Sequence, residues 1–373
     1  MSNLAGYALQ APLLTTGSTV LQSARRRGDG QRVMLKMPRA ANPGPRERER
    51  YRREYRLMER LSGTPGVLKV YGCEDMQERP VLVLQDVGGK SLSEVLTQGP
   101  LPLRSCLELA LSVATTLAQV HRRGIIHKDL KPSNLLLGAQ GEVWLIDFGI
   151  ATLQPAEHVE AVPAPQVQGT LAYMSPEQTG RMNRVLDYRT DFYSLGVTLY
   201  EALTGHKPLH GKDALEWFHA HLAQAPRPPH ELNPDIPRMV SAIVLKLMAK
   251  GAEERYQSAE GLQADLEECL ARLRQQRLEE FPLGEKDAPA TFRMPHRLYG
   301  REKEVQALLE GFDRVASSGR PELLLVSGYS GIGKSSVVNE LQRPVLERRS
   351  FFLRGKFDQF ARDVPYATLA QAL

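Results

Sequence analysis

The chain has 373 residues, of which 42% are apolar, 24% charged and 6% aromatic. That composition fits two or three soluble globular domains and argues against disorder throughout. Net charge is only +5, and the densest basic stretch, 46–60, interleaves seven Arg with four Glu, which reads as a solvated helix with i,i+4 pairs rather than a nucleic-acid face.

No run reaches the roughly 18 apolar residues of a membrane span. Residues 1–10 carry no basic start followed by an apolar block, so no signal peptide is read. Cys73, Cys106 and Cys269 are widely spaced and form no CxxC pair. Neither a disulfide scaffold nor a structural zinc site is expected, and a reducing cytoplasm is.

In chain order, residues 12–37 read as short strands. Val33-Met34-Leu35-Lys36-Met37 is apolar around one lysine and follows a hairpin turn at Arg27-Gly28-Asp29-Gly30. The prolines at 43 and 45 break the chain, and a charged helix runs to about Leu61. Strands are expected at 67–71 and 81–84. Helical spacing begins near Leu92, and 103–123 has a 3.6-type apolar pattern closed by Gly124. The region from Thr190 to about Phe281 is mostly helical. Residues 279–297, with three prolines and mixed charge, read as a linker. After it come an amphipathic helix over 301–316, a buried strand containing Leu323-Leu324-Leu325-Val326, a glycine-rich turn and another helix. That order opens an α/β domain.

The most informative segment is His127-Lys128-Asp129-Leu130-Lys131-Pro132-Ser133-Asn134. Asp147-Phe148-Gly149 follows thirteen residues after Asn134, and Ser175-Pro176-Glu177 comes later. In this order and spacing they resemble the catalytic core of eukaryotic-type Ser/Thr protein kinases, with H-R-D-x-x-x-x-N, D-F-G and A-P-E. The match covers about residues 10–275. It implies an α+β bilobal kinase domain over 10–278, with a strand-rich N-lobe at about 10–86 and a helical C-lobe at about 91–278. By resemblance, Asp129 accepts the proton of the incoming hydroxyl, and Asn134 and Asp147 hold Mg²⁺ against the phosphates of ATP. Lys36 reaches the α/β-phosphates, and Glu54 holds that lysine. Lys131 goes with Ser/Thr rather than Tyr acceptors. Leu84 is the gatekeeper, and Gln85 and Val87 belong to the adenine-binding hinge. Thr170 resembles the threonine that closes the substrate site onto Asp129. Asp191 and Arg255 resemble the two structural residues that hold the catalytic loop and the Glu177 position.

Three departures stand out. The glycine-rich loop keeps little more than Gly17 and Val20. Met34 replaces a small residue where adenine packs. Lys128 stands where an arginine would meet an activating phosphate, and lysine lacks the bidentate fork. Constitutive or partner-controlled activity is therefore expected over loop phosphorylation. A pseudokinase that binds nucleotide and regulates attached domains is the rival reading.

Gly328-Tyr329-Ser330-Gly331-Ile332-Gly333-Lys334-Ser335 fits the phosphate-binding pattern G-x-x-x-x-G-K-[ST] between an expected strand and helix. Gly328, Gly331 and Gly333 let backbone N–H groups wrap a phosphate, Lys334 reaches the β/γ-phosphates, and Ser335 binds Mg²⁺. With Leu298-Tyr299-Gly300-Arg301-Glu302 upstream, residues 298–373 resemble the start of AAA/STAND-type P-loop ATPases. No apolar strand ending in an acidic pair follows, and 76 residues are too few for a doubly wound domain, so a truncated ATPase is expected. The layout resembles the N-terminal part of large hybrid kinase, ATPase and sensor histidine kinase proteins, which implies downstream signalling domains not present in this chain. The expected partners are a protein substrate and ATP, with no nucleic acid and no membrane span.

Overall fold

The computed structural model describes residues 6–15, 18–76, 79–138, 140–153, 171–180, 186–275 and 279–288, and farther on 300–329, 332–341, 344–345, 348, 350 and 352. The first lobe is an antiparallel sheet of β1 (Tyr7–Thr15), β2 (Thr19–Arg26), β3 (Arg32–Pro38), β4 (Val70–Met76) and β5 (Arg79–Gln85), in the order β1-β2-β3-β5-β4. Alternation along β3 divides its side chains between two faces. Val33, Leu35 and Met37 join a small core with Tyr7, Val81 and Val83. Met34 joins the main core with Leu21, Leu84 and Met58. Lys36 shares the Met34 face, which aims a cation at the inner side of the sheet.

Helix α1 (Pro45–Arg60) starts with proline at its first turn, where the missing N–H costs nothing. It buries Tyr51, Glu54, Leu57 and Met58 on one face and leaves its arginines outside. The expected i,i+4 ion pairs are not the ones formed. Arg50 pairs with Glu47 at 3.7 Å, and Arg56 pairs with Glu49 at 3.0 Å across two turns. The Glu54 carboxylate is buried for another use.

The second lobe is helical. After β6 (Lys90–Ser91) and α2 (Leu92–Leu96), α3 (Leu103–Arg122) runs to a left-handed Gly124 at φ 70°. Short strands β7 (Ile125–Ile126), β8 (Leu135–Leu137), β9 (Val143–Leu145) and β10 (Thr152–Leu153) carry the loops between them. Helix α4 (Arg189–Thr204) is buried almost end to end. Helices α5 (Ala214–Ala223), α6 (Pro229–Leu232), α7 (Arg238–Leu247) and α8 (Ala259–Arg274) follow; α6 and α7 pack against α4, and α8 packs along α3. The stretch read as linker is docked chain over 281–287, where Phe281 and Leu283 pack on the core of this lobe.

Farther on lie α9 (Glu302–Ser318) and α10 (Lys334–Asn339). The buried strand expected at 322–327 does not form. Leu323 and Leu325 are 92% and 89% exposed, and no strand is assigned there. A strand of a parallel sheet needs neighbours on both edges and cover on both faces. Among the described residues no strand pairs with this segment, and it meets α9 through Glu322, which accepts from Arg314 Nη2 at 2.7 Å, and through Leu324, beside Gly311. No helix of the described residues is long and apolar enough to cross a membrane.

Candidate active site

Strand β3 and helix α1 bring Lys36 and Glu54 together. Lys36 Nζ donates to Glu54 Oε1 at 2.5 Å and Oε2 at 2.6 Å. It also donates to Asp147 Oδ1 at 2.7 Å, across the cleft between the lobes. Phe148 N donates to Glu54 Oε1 at 3.1 Å, so the carboxylate grips both the lysine and the segment after Asp147. Asp147 takes φ 67°, the left-handed region, and Gly149 N donates to its Oδ1 at 3.1 Å. A Cβ on Gly149 would lie 3.0 Å from that oxygen, which explains the glycine.

Burial opposes charge on Lys36, but the Asp147 and Glu54 carboxylates outweigh it and raise its pKa. Burial also opposes the Asp147 charge, and the ammonium of Lys36 holds that carboxyl well below its usual range. Burial pushes Glu54 up, and the Asp147 charge adds to it against the pull of Lys36. Asp147 is the more accessible of the two carboxylates.

The catalytic loop is built around Asp191 at the start of α4. Its carboxylate accepts from His127 N at 2.9 Å, Lys128 N at 2.8 Å and His121 Nε2 at 2.8 Å. Burial disfavours its charge, yet these donors keep its pKa below the ordinary value. They also hold Lys128 at φ 68°, a conformation that costs a non-glycine residue on the order of 1–3 kcal/mol. His127 accepts from Asp129 N at Nδ1 and donates from Nε2 to Ile146 O at 3.1 Å, while its ring stands edge-on to Phe148.

Asp129 is therefore fixed at the cleft floor. Lys131 Nζ donates to both its oxygens at 3.0 and 2.8 Å, and Asn134 Nδ2 donates to its carbonyl at 2.7 Å and to Oδ2 at 3.0 Å. Glu177 and Arg255 form a bidentate pair at 2.7 and 2.9 Å, buried at 4% and 1% exposure. Burial works against the Glu177 charge, and the guanidinium still draws its pKa to about 2.

Between β3 and β5, Met34 pairs with Leu84 and Val33 with Gln85, so Met34 stands beside Leu84 in the main core. Val87 packs against the same core. Val20 is on β2 opposite Met37. Gly17, Thr170 and Gly331 lie outside the described residues. In the second motif, Gly333 caps α10 at φ 94°, and Gly328 meets the Ile332 side chain where a Cβ would stand. Lys334 Nζ donates to the carbonyls of Gly328 and Tyr329, both at 2.8 Å, and Ser335 is exposed.

Sequence reasoning missed two supports. Gln178 Nε2 donates to Lys128 O at 2.8 Å and ties the Ser175–Glu177 segment to the catalytic loop. His221 Nε2 donates to Leu171 O at 2.7 Å, and its Nδ1 accepts from Tyr193 OH at 2.9 Å. Nothing local marks either residue. Both act through partners dozens of positions away.

The protein kinase domain family matches residues 15–278, and the AAA ATPase domain family matches 297–373. Among relatives, hybrid signal transduction histidine kinase G of Dictyostelium discoideum is 27% identical over 73% of this chain and 10% of its own length. A probable serine/threonine-protein kinase of Streptomyces coelicolor is 36% identical over 65% of this chain and 36% of its own. Serine/threonine-protein kinase PknB of Mycobacterium leprae is 35% identical over 58% of this chain and 35% of its own. The chain thus spans a tenth of the first and about a third of the other two. With a lysine held by two carboxylates across the cleft and an aspartate loop anchored on α4, the chain belongs over residues 15–278 to the protein kinase domain family.

Proposed function

We propose that this chain is an ATP- and Mg²⁺-dependent Ser/Thr protein kinase of bacterial signalling, working in the cytoplasm. The observation that carries the reading is Lys36 bonded to both Glu54 and Asp147 beside the Asp129–Asn134 loop. Phosphoryl transfer asks for positioning and charge neutralisation, and little covalent work falls to the protein. Lys36 positions the α/β-phosphates. Asp129 orients the acceptor hydroxyl and takes its proton, and Lys131 neutralises the transferred group from the same side.

Asn134 and Asp147 offer one amide oxygen and one carboxylate, a hard donor set suited to Mg²⁺, which keeps waters and phosphate oxygens in its shell. When bound, the ion supplies neutralisation of the phosphate charge. The adenine lies against Val20, Gln85 and Val87, and Gly17 belongs to the phosphate loop. The 298–373 module binds a nucleoside triphosphate through Gly328, Gly331, Gly333, Lys334 and Ser335, as an appendage of a larger signalling protein.

Incubation of the chain with labelled ATP, Mg²⁺ and a generic protein acceptor tests this. Phosphoserine or phosphothreonine that disappears in Asp129→Asn supports the kinase. Tight nucleotide binding with no transfer supports the pseudokinase rival.

A further inference from the structure

Residues 279–288 lie past the kinase family match, yet they are built into the second lobe. Phe281 sits under the Arg272 guanidinium at 4.8 Å, and Lys246 Nζ donates to Leu283 O at 3.3 Å. Gly284 N donates to Asp265 Oδ2 at 2.8 Å, the same buried oxygen that accepts from Tyr256 OH at 2.6 Å. Asp287 closes the run. Its Oδ2 accepts from Gln257 N at 2.7 Å, and its Oδ1 accepts from Ser258 N and Ser258 Oγ, both at 2.8 Å. Ser258 is the N-cap of α8, so this carboxylate also meets the positive end of a 16-residue helix. At Gly261, a Cβ would stand 2.6 Å from the Asp287 Cα, so only glycine admits the segment so closely.

The Asp265 and Asp287 bonds converge on Tyr256, Gln257 and Ser258, and the run that these residues form with Arg255 leads to the 175–178 segment. Arg255 clamps Glu177. Gln257 Oε1 accepts from Arg189 Nη1 at 2.7 Å, and Tyr188 OH donates to Gln257 O at 2.7 Å. Glu177 in turn accepts from Thr190 Oγ1 at 2.7 Å, while its neighbour Gln178 reaches Lys128 O beside Asp129.

Resting on the kinase reading, we propose that Asp287 is a positioning residue for the protein substrate: it sets the 255–258 loop, and through Arg255 and Glu177 the 171–180 segment that the substrate meets. Its effect is on acceptor binding and not on ATP, because no step in this relay touches Lys36, Asp147 or the hinge.

The test uses the full chain with Asp287→Ala, Asp287→Asn and Gly261→Ala. The last variant pushes the segment away without removing a polar group. Steady-state kinetics and hydrogen exchange without substrate are both read. In Asp287→Ala and Gly261→Ala, KM for an acceptor peptide rises about fivefold, in line with lost backbone hydrogen bonds. KM for ATP holds within about twofold, because the relay ends at Lys128 O and makes no bond to Lys36, Asp147 or the 84–87 segment. Exchange quickens at 171–180 and 255–258, with Asp287→Asn in between. An unchanged peptide KM with 255–258 released overturns the proposal, as does a parallel rise of both KM values. If the wild type transfers no phosphate, the kinase reading alone falls. Exchange at 171–180 then decides the positioning: faster supports it, unchanged refutes it.

Discussion

Lys36 and Asp147, 111 positions apart in the sequence, stand 2.7 Å apart in the fold, and the lysine's other bonds go to Glu54 on α1. One ammonium thus fixes the sheet, the helix and the Asp147–Gly149 segment relative to each other. Removing it has two consequences. Lys36→Met should lower phosphoryl transfer to background. It also leaves Glu54 buried without its counterion, which costs on the order of 3–5 kcal/mol when one partner of such a pair is deleted. The fold should survive with a lower melting temperature. A variant with wild-type transfer from labelled ATP would remove Lys36 from the site.

Asp129→Asn keeps the shape of the side chain and discards the carboxylate that takes the hydroxyl proton. Turnover should fall roughly 10²–10⁴-fold. ATP affinity, read by calorimetry, should stay nearly constant, since the Lys36 triad is separate. A matching loss of affinity would mean that the Lys131 and Asn134 bonds to Asp129 hold the whole loop in place.

Glu177 and Arg255 are buried, bidentate and further bonded to Thr190 and three main-chain carbonyls. Glu177→Ala should therefore destabilise by about 3–5 kcal/mol in denaturant unfolding, because it strands a buried guanidinium. A loss below about 1 kcal/mol, the size of an exposed pair, would contradict the burial argument.

His221 supplies a pH dependence. Burial first, and the charge of Lys250 second, lower its pKa from 6.5 to about 3. The native state then binds fewer protons than the unfolded chain below pH 6.5, so stability falls as pH drops through that value toward 3. The slope from one such group is about 1.4 kcal/mol per pH unit. Between pH 6.5 and 5, above the carboxylate range, His221→Gln should flatten the curve. An identical slope in the variant would show that His221 ionises freely in the fold.

Lys334→Ala should leave protein phosphorylation by the full chain untouched and abolish any nucleotide binding by the 298–373 module. Hydrolysis by that module should be slow in either protein, since no acid among the described residues stands near Lys334 or Ser335 to complete a Mg²⁺ site. Fast hydrolysis lost with Lys334 would refute this.

Much of the site was legible because its chemistry demands fixed residue types at short spacings. Asp129 to Asn134 and Asp147 to Gly149 are such runs. Glu54 was readable only through the family resemblance, because Glu47 falls on the same helical stripe as Tyr51 and Met58; burial of Glu54 with Tyr51, Leu57 and Met58 is what the fold decides. Local patterning likewise marked the helices, through proline at the start of α1 and Gly124 after α3.

Tertiary contacts decided the rest. The 279–288 run is polar, with a proline and a glycine, and reads as linker by composition. It is ordered structure because Asp287 finds two free backbone N–H groups at the start of α8 and Gly261 leaves it room. Leu323 to Val326 is as apolar as any strand, yet among the described residues no strand satisfies its backbone, and it stays open. His221 and Gln178 gain their roles only where α5 and the Ser175–Thr179 turn meet the catalytic lobe. The sequence alone determined which groups can hold phosphate and take a proton. The tertiary structure decided which of them are buried together, because burial and pairing depend on neighbours that local sequence does not contain.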